Sequence, residues 1–593
     1  MNTQEKLIAI LLGLCLVGWL FYSYKDQQRQ AEIRAAQMAA QAAAEVDAAA
    51  AQPAAPATAP TEVKPAAEPT PPAAAKPAKQ HAPEQVVVLS NAQIAVSLST
   101  RGAVVKAATL FDFAEKPGPI SDENPPVSLD FSASPVMALT GAGVEADDDY
   151  EIVERGDDFV AFRRGGVVRK VTLKPDYQIS LEEDFGAVAA DDRAKPGTLS
   201  LGAMPLGASK NDILSIDSWN FRDEKGREAV EHHGETDPLK GHLAGSIGGC
   251  SGKPDASGMP EMQTISIAGA RKWIAVKNRF FVSALASCSD ENSGFVATVR
   301  RDMERREYQP KSVAADASFK SLPEKRVSLF YLGPKKQSIL WGLGMKDVME
   351  FGMWRWVCYP IVWCLNLFNS WIPSFGIGII LLTVLVRVLF WPLTHKSTVS
   401  MRRMSEIQPK IKEIREKFKD NPQRLQQETW AVYRDNKVNP AAGCLPMLVQ
   451  IPVFIALFTV LRSAVELRYA PFLWIADLSE PEALGATSWF PYFGGLNILP
   501  ILMAATMALQ SAVTPSGGDK NQQRMMMVMM PLMMLVMFYS FPSALSLYWT
   551  VSQVLSIAQM WWIRKRYTPV ATPASEAVVD MPVTRQMRRH GGA

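Results

Sequence analysis

The last third of the 593-residue chain contains five long runs that are almost free of charged residues. Each is close to the length of about 20 helical residues that crosses the hydrocarbon layer of a bilayer. A backbone in lipid must satisfy its own hydrogen bonds, so we expect these runs to be helices. The sequence therefore predicts a helical membrane region and excludes a wholly soluble enzyme. The runs occupy residues 373–393, 444–461, 494–513, 525–541 and 543–563.

A sixth uncharged run, residues 7–24, lies near the N-terminus. No A-x-A cleavage site closes this run, which ends in aromatic residues followed by Lys25. We therefore expect an uncleaved membrane anchor over residues 1–24 rather than a cleavable signal peptide. Residues 25–85 are dominated by Ala, Pro and Gln, a composition that favours an extended tether without a core.

Residues 86–340 have a different pattern, in which short stretches alternate apolar and polar residues between Gly, Pro and Asp clusters. This alternation is typical of antiparallel strands. We expect a mostly antiparallel all-β domain, folded as a sandwich. Two cysteines, Cys250 and Cys288, lie in it, and the sequence leaves open whether they form a disulfide or stay free thiols.

Two helical segments flank the first uncharged run. Residues 353–372 contain four tryptophans, one charge and Pro360, so we expect an amphipathic helix on the bilayer surface, with a seventh span as the alternative. Residues 395–440 predict a helical hairpin, because apolar residues recur every three or four positions as in a coiled-coil seam. These seam residues are Met401, Met404, Ile407, Ile411, Ile414 and Phe418.

Charge between the runs predicts the topology. Residues 394–443 carry eleven Lys or Arg against six acidic residues, and the tail, residues 564–593, is also basic. The positive-inside rule places both segments in the cytoplasm. Six spans then put both termini in the cytoplasm and the β domain outside, as in a multi-pass protein of a bacterial inner membrane with a periplasmic domain.

Motifs for chemistry are absent from the sequence. None of the six histidines lies in an uncharged run, which excludes an intramembrane Ser–His protease, and no H-E-x-x-H motif occurs. Nucleotide-binding glycine motifs and C-x-x-C pairs are also absent. For His232, His233 and His242 we expect an exposed loop rather than a metal site. The sequence predicts no catalytic residue, no metal and no cofactor.

The most informative single residue is Arg387, which lies inside the run 373–393. No Asp, Glu, Lys or His in the interior of any run is available to pair with it. An unpaired arginine at the centre of a bilayer costs about 2.5–3.5 kcal/mol by insertion scales. Three explanations stay open: its side chain reaches the headgroups, faces a water-filled cavity, or awaits an acidic group from a partner.

Two further patterns have a functional and a structural interpretation. The run 525–541 contains eight methionines, which suit a surface that accepts varied apolar partners but also serve as lipid-facing filler. Polar side chains within the other runs either form interhelical hydrogen bonds or line a cleft with Arg387 and Thr383. They are Gln450, Thr506, Gln510, Ser552, Gln553, Ser556 and Gln559.

Four segments of the helical region carry longer motifs: TVLVRVLFWPLTHKSTVSMRRMSEIQPKIKEI, KVNPAAGCLPMLVQIPVFIALF, VELRYAPFLWIADLS and FPSALSLYWTVSQ. They closely resemble the YidC/Oxa/Alb family of membrane protein insertases. The anchor, tether and exported domain look like the Gram-negative form with a large periplasmic domain. The resemblance is weaker over 86–340, where RKWIAVKNRFFVSALAS is the clearest segment.

The resemblance implies a non-catalytic insertase and chaperone for nascent inner-membrane proteins, which works alone or with the Sec translocon. Five core helices, within residues 373–563, would enclose a hydrophilic groove open to the cytoplasm and to lipid. The ribosome and the targeting-particle receptor are further implied partners, beside the phospholipid bilayer. The residues matching the groove are Arg387, Thr383, Gln510, Tyr548 and Trp549, and those matching a substrate-sliding surface are Met530 and Met534.

Two other function classes compete on the residues alone. A secondary transporter would have inverted repeats and paired ionisable groups within its spans, and the sequence contains neither. A membrane-anchored sugar-binding protein would place the function in residues 86–340, whose family counterpart resembles a sugar-mutarotase supersandwich. No residue pattern there indicates sugar chemistry.

Overall fold

The computed structural model describes residues 81–141, 143–207, 212, 214–220, 229–234, 261–290, 292–301, 310–436, 438–439, 445–484, 495–514 and 520–566. Apart from Trp430–Lys437, the described residues belong to one compact unit. Several expectations fall outside them: the anchor over 1–24, nearly all of the tether, Cys250, His242, the side chain of His233, and the tail beyond residue 566.

The first part of the described chain is all β, and every strand pair in it is antiparallel. Strands such as β8 alternate buried and half-buried residues, as the sequence pattern predicts. The strands are β1 Val86–Ser90, β2 Ile94–Ser99, β3 Val104–Ala114, β4 Pro126–Asp130, β5 Val136–Thr140, β6 Glu151–Arg155, β7 Phe159–Arg164, β8 Val167–Leu173, β9 Gln178–Asp184, β10 Gly197–Pro205, β11 Ser215–Asn220, β12 Ala229–Gly234, β13 Met262–Lys277, β14 Phe281–Cys288, β15 Asn292–Arg301, β16 Pro310–Phe319 and β17 Lys325–Pro334.

The long strand β13 belongs to two layers. Its first half pairs with β15, and its second half, from Arg271, pairs with β11 and β14. Gly269 lies at the register shift between the halves with a φ of 116°, a conformation that glycine adopts without strain. The layers face each other where the Ser283 hydroxyl on β14 donates to the Leu201 carbonyl on β10, at 2.5 Å. The expected all-β sandwich is confirmed.

A buried ion triad lies inside this domain. Glu183 accepts a hydrogen bond from Arg169 Nε at 3.0 Å and one from Arg326 Nε at 2.7 Å, and all three side chains are fully buried. Arg169 also donates to the carbonyls of Gly102 and Met137. Removing Glu183 would leave two buried guanidinium groups without their shared counter-charge, so both arginines depend on this carboxylate.

The rest of the described chain is helical, and each of the five uncharged runs contains a helix. Together with the all-β domain, this confirms the expected fold class of a helical region joined to a β domain. A single turn of helix, α1 Ala190–Arg193, lies within the β domain between β9 and β10. The helices that follow the β strands are α2 Gln337–Gly342, α3 Arg355–Trp371, α4 Phe375–Leu389, α5 Trp391–Glu406, α6 Gln408–Lys417, α7 Pro422–Asp435, α8 Leu445–Ser463, α9 Ile498–Val513, α10 Lys520–Phe538 and α11 Ser543–Arg566.

Within the described residues, no helix taken alone has the length and hydropathy of a membrane span. The pair α4 and α5 passes the same test together, across a bend of 64°. The bend falls at Phe390, and Pro392 occupies the first turn of α5, where its missing N–H costs no hydrogen bond. Helix α4 packs against α3 and α11, and α9 packs against α10 and α11.

The expected seam from Met401 to Phe418 is not one continuous helix. Ile407 and Ile411 are buried, as a seam requires, but Ile407 lies at a break between α5 and α6. Pro409 follows this break and cannot donate the backbone hydrogen bond that would extend α5. A second break ends at Asn421, whose side chain accepts from the Arg424 N–H and caps α7.

Candidate functional site

Arg387 lies in the last turn of α4, a helix whose other side chains are apolar apart from Thr383. The helix begins after Ser374, whose hydroxyl accepts the Ile377 N–H at 3.5 Å. A cation in the last turn interacts favourably with the negative end of the helix dipole. The position of Arg387 therefore compensates part of the cost of placing a charge in an apolar helix.

The guanidinium of Arg387 is bound by one residue of α11. Its Nε lies 3.1 Å from the Ser552 hydroxyl, and its Nη2 lies 2.5 Å from that hydroxyl and 2.8 Å from the Ser552 carbonyl. Among the described residues, no carboxylate forms an ion pair with Arg387. The arginine is half-buried and directed at a neighbouring helix, with hydrogen bonds but no counter-charge.

Ser552 belongs to a row of polar side chains along one face of α11, which we call the polar stripe: Tyr548, Ser552, Ser556 and Gln559. Their spacing of three or four residues places them on one side of the helix. All four are buried. The stripe binds three other helices: Tyr548 accepts from Gln450 Nε2 on α8 at 2.5 Å, Ser552 binds Arg387, and Gln559 Nε2 donates to the Thr394 hydroxyl on α5 at 2.9 Å.

The structure separates the other expected groove residues. Thr383 is fully buried, and its hydroxyl donates to the Ile379 carbonyl of its own helix at 2.7 Å. Gln510 is half-buried on α9, and within the described residues no hydrogen bond joins it to Arg387 or to the polar stripe. Tyr548 belongs to the stripe, whereas the Trp549 ring lies among aromatic rings, 5.3 Å from Phe454 and 5.4 Å from Phe538.

The methionines of α10 divide between two faces. Met530 and Met534, the expected substrate-sliding residues, are half-buried, and Met534 packs against the helical core. Met529, Met533 and Met537 are exposed, together with Val528, Leu532 and Val536. The exposed apolar face of α10 is therefore adjacent to the two residues that the sequence indicated.

The sequence indicates Ser552, Ser556 and Gln559 as polar residues and, through the resemblance, Tyr548, but it does not show which residues they bind. The spacing of Tyr548, Ser552 and Ser556 by four residues was the available signal for a shared face. Thr394 gave no signal, because it follows the uncharged run and precedes a charged loop. The pairing of Ser552 with Arg387 requires two helices 165 residues apart to pack together.

His232 lies on strand β12, so the expectation of an exposed loop is wrong for this residue. Its Nδ1 is 3.0 Å from Asp217 and 3.6 Å from Glu350, and ligand atoms of the three residues lie within 4.8 Å of one another. The ammonium of Lys277 contacts both carboxylates, at 2.9 Å from Glu350. Because Lys277 already pairs with both carboxylates, the cluster is better described as an ion-pair network than as a metal site.

Protein-family comparisons match both parts of the chain. Residues 367–570 match the model described as 60Kd inner membrane protein, and residues 251–364 match the YidC periplasmic domain. These two models describe an inner membrane protein and its periplasmic domain.

Several curated relatives have the same name, Membrane protein insertase YidC. That of Syntrophobacter fumaroxidans is 42% identical over 49% of this chain and 53% of its own length. The chain thus spans about half the length of this relative. That of Prosthecochloris aestuarii is 29% identical over 84% of this chain and 86% of its own length.

Among solved structures, the crystal structure of an active YidC insertase with its first transmembrane domain resolved covers 82% of this chain and 95% of that chain. The two share 17% identity with a TM-score of 0.33. The family models and the named relatives, which cover both the β domain and the helices, agree with each other. The chain therefore belongs to the YidC family of inner membrane proteins.

Proposed function

We propose that the chain is a non-catalytic membrane protein insertase and chaperone, which inserts and folds nascent inner-membrane proteins. The observation that carries the proposal is the half-buried Arg387, hydrogen-bonded to Ser552 and not ion-paired with any described carboxylate. The polar stripe and Arg387 would form one wall of a hydrophilic groove open to the cytoplasm and to lipid. Thr383, Gln510, Tyr548 and Trp549 complete the proposed groove.

The energetics of insertion explain why one charge would be enough. A nascent span of about 20 Leu-like residues gains about 6–12 kcal/mol on entering lipid, so the span itself needs little help. The barrier is the polar segment that must cross. Arg387 would bind an acidic residue of that segment briefly, and the membrane potential would then favour its outward movement by about 2.3 kcal/mol per 100 mV.

The exposed apolar face of α10 would be the route by which a nascent span leaves the groove. Methionine side chains are flexible and polarizable, so they contact varied apolar sequences with little discrimination. Met530 and Met534 line the inner margin of this face, beside the exposed Met529 and Met533. A substrate helix would pass from the polar stripe to lipid along these residues.

The proposed topology follows the charge distribution. The anchor 1–24, five core spans over 373–563 and cytoplasmic termini place the β domain, residues 86–340, in the periplasm. The tether 25–85 supplies reach, and the helix over 353–372 lies on the bilayer surface. The hairpin 395–440 and the tail 564–593 would bind anionic lipid, the ribosome or the targeting-particle receptor, and the Sec translocon would be a further partner.

Reconstitution tests this function directly. The purified full-length protein in liposomes should protect a short single-span substrate with an acidic tail against added protease, beyond the protection given by empty liposomes. The Arg387→Gln variant, reconstituted at the same density, is the matched control for the groove. Equal protection in empty and protein-containing liposomes would reject autonomous insertion and shift the function to a chaperone that needs the Sec machinery.

A further inference from the structure

Arg279, in the turn between β13 and β14, reaches from the β domain into the helical region. Its side chain is almost fully buried. Nε donates to the Arg462 carbonyl at 2.6 Å, Nη2 donates to the Ser479 carbonyl at 2.6 Å, and Nη1 binds the Glu480 carboxylate. One guanidinium thus binds three groups that lie about 180–200 residues further along the chain.

One of these groups belongs to a helix end. Arg462 is the penultimate residue of α8, so its carbonyl is one of the last four that have no partner within the helix. A cation at this end also interacts favourably with the helix dipole. Arg279 is therefore a C-terminal cap for α8, supplied by the β domain.

The segment that includes Ser479 and Glu480 holds the start of α11. The Ser543 N–H donates to the Glu480 carbonyl at 2.9 Å, the Ser543 hydroxyl donates to the same carbonyl at 2.6 Å, and the Ala544 N–H donates to the Leu478 carbonyl at 3.0 Å. These bonds satisfy orphan donors of the first turn of α11. Arg279 thus binds α8 directly and α11 through one short segment.

A second contact supports the first. Arg468 Nη1 donates to the Ala114 carbonyl at the end of β3, at 2.7 Å, and the Tyr469 hydroxyl donates to the Glu115 carbonyl at 2.9 Å. The guanidinium of Arg468 also lies 5.4 Å from the centre of the Phe281 ring. The segment between α8 and α9 is therefore bound to the β domain at two separate places.

We propose that Arg279 is a positioning residue through which the β domain fixes the adjoining ends of α8 and α11. These two helices carry Gln450 and Tyr548, which bind each other, and Ser552, which lies one turn after Tyr548 and binds Arg387. The role of the β domain in this chain is then to hold two helices of the groove in register. The effect of Arg279 on insertion rests on the proposed function, whereas its effect on the ends of α8 and α11 does not.

Hydrogen–deuterium exchange of the full-length protein in lipid nanodiscs tests this proposal. The variant Arg279→Met keeps the length of the side chain but loses all three bonds. We expect exchange about tenfold faster in residues 458–464 and 543–548, because opening these helix ends no longer breaks charge-assisted bonds. Residues 159–184, on β7 to β9, should exchange at the wild-type rate.

Arg326→Met is the matched control, since Arg326 is also a buried arginine but binds Glu183 within the β domain. It should speed exchange in residues 159–184 and leave both helix ends unchanged. Arg279→Lys keeps the charge but lacks the planar guanidinium that binds three acceptors at once. Its effect on exchange at the helix ends should therefore be intermediate. Wild-type exchange at both helix ends in Arg279→Met, or the same pattern of change in both methionine variants, would overturn the proposal.

The insertion assay separates this proposal from the proposed function. If Arg279→Met loosens the helix ends and also lowers insertion, both stand. Faster exchange at the helix ends with unchanged insertion would overturn the link between the β domain and the groove, while the insertase function would stand on its wild-type activity.

Discussion

The N–H donors of Arg387 bind a hydroxyl and a backbone carbonyl of Ser552, neither of which carries a formal charge. Hydrogen bonds of this kind orient the guanidinium without neutralising it. A carboxylate that approaches from the proposed groove would therefore gain a charge-assisted interaction without displacing an acid among the described residues. Arg387 is therefore suited to transient binding of an acidic segment.

Replacing Arg387 by Gln should impair insertion of a substrate with an acidic tail by about fivefold or more, since one ion pair worth about 1 kcal/mol is lost. Arg387→Lys should retain most of the activity, because it keeps the charge. The measurement is protease protection of matched substrates with acidic and neutral tails. Equal insertion of both substrates by the Gln variant and the wild type would contradict the electrostatic role.

Ser552→Ala should lower the stability of the full-length protein by about 1–2 kcal/mol, because Arg387 loses one of its two acceptors in a partly buried place. Ser556→Ala is the control: the Ser556 hydroxyl donates to the Ser552 carbonyl within the same helix, at 2.9 Å, and within the described part of the chain it binds no other helix. Thermal unfolding in one detergent compares the two. A loss that is equal in both variants would show that the contact with Arg387 adds nothing.

The buried side chain of Lys335, in the β domain, should make the stability of the protein depend on pH. Burial, helped by the nearby ammonium of Lys277, lowers the pKa of Lys335 from 10.5 to about 7. Between these values the unfolded chain binds more protons than the folded one, so this residue destabilises the fold increasingly as the pH falls from 10.5 towards 7.

Lys335→Met removes that penalty. The variant should be more stable than wild type at pH 7, by about 1–4 kcal/mol, and the difference should shrink as the pH rises towards 10. Thermal unfolding of both proteins across this range measures the difference directly. A stability difference that stays constant with pH would mean that Lys335 is charged in the folded protein throughout.

At the scale of elements, the start of α4 is fitted closely to the segment after α8. A Cβ added at Gly376 would lie 2.1 Å from the Phe472 ring, whereas one added at Gly378 would meet nothing nearer than Leu365 at 3.8 Å. The two glycines lie in the same helix, two residues apart. Only Gly376 is required for close packing.

Gly376→Ala should therefore destabilise the protein by about 1–3 kcal/mol, the cost of overpacking. Gly378→Ala should be neutral or stabilising by up to about 1 kcal/mol, because alanine is a better helix former where space is available. Thermal unfolding of both variants under one condition is the measurement. Equal effects of the two substitutions would show that Phe472 moves away without cost.

Periodicity and hydropathy predicted the elements well, since both are local properties of the chain. Alternation identified the β domain, and the uncharged runs identified α4 and α8 to α11. The break at Ile407 was missed because the apolar spacing continues across it, although Pro409 was a visible stop signal. His232 was assigned to a loop because its own stretch has few apolar residues, and pairing of β12 with β11 makes it a strand.

The candidate site was predicted only in part. Arg387 was identified because a charge without a partner in an apolar run is costly. Its contact with Ser552 was not, because it depends on how two distant helices pack. The resemblance suggested Met530 and Met534, but which face of α10 they occupy is set by packing against α9.

At the scale of the whole molecule, the β domain and the helices are joined by contacts that no local pattern could indicate. Arg279 and Glu480 are 201 residues apart in the chain, and Arg468 and Ala114 are 354 apart. Each residue looks like an ordinary surface charge or small apolar residue in the sequence. Long-range contacts of this kind are what make the described β domain and helices one compact unit.

Site-specific photo-crosslinking tests whether a nascent span enters beside Arg387. A crosslinking amino acid is placed at Gln510, on the proposed groove side of α9, or at the neighbouring Leu509, which is 54% exposed on an outward face. Stalled nascent chains of a single-span substrate with an acidic tail are then added to the reconstituted protein.

If a nascent span enters beside Arg387, we expect strong crosslinks from position 510, weak ones from position 509, and a loss of the former when Arg387 is also replaced by Gln. Crosslinks that are equally strong from both positions, and insensitive to Arg387, would contradict this expectation, since they would place the substrate on the outer surface of the helices rather than in a groove.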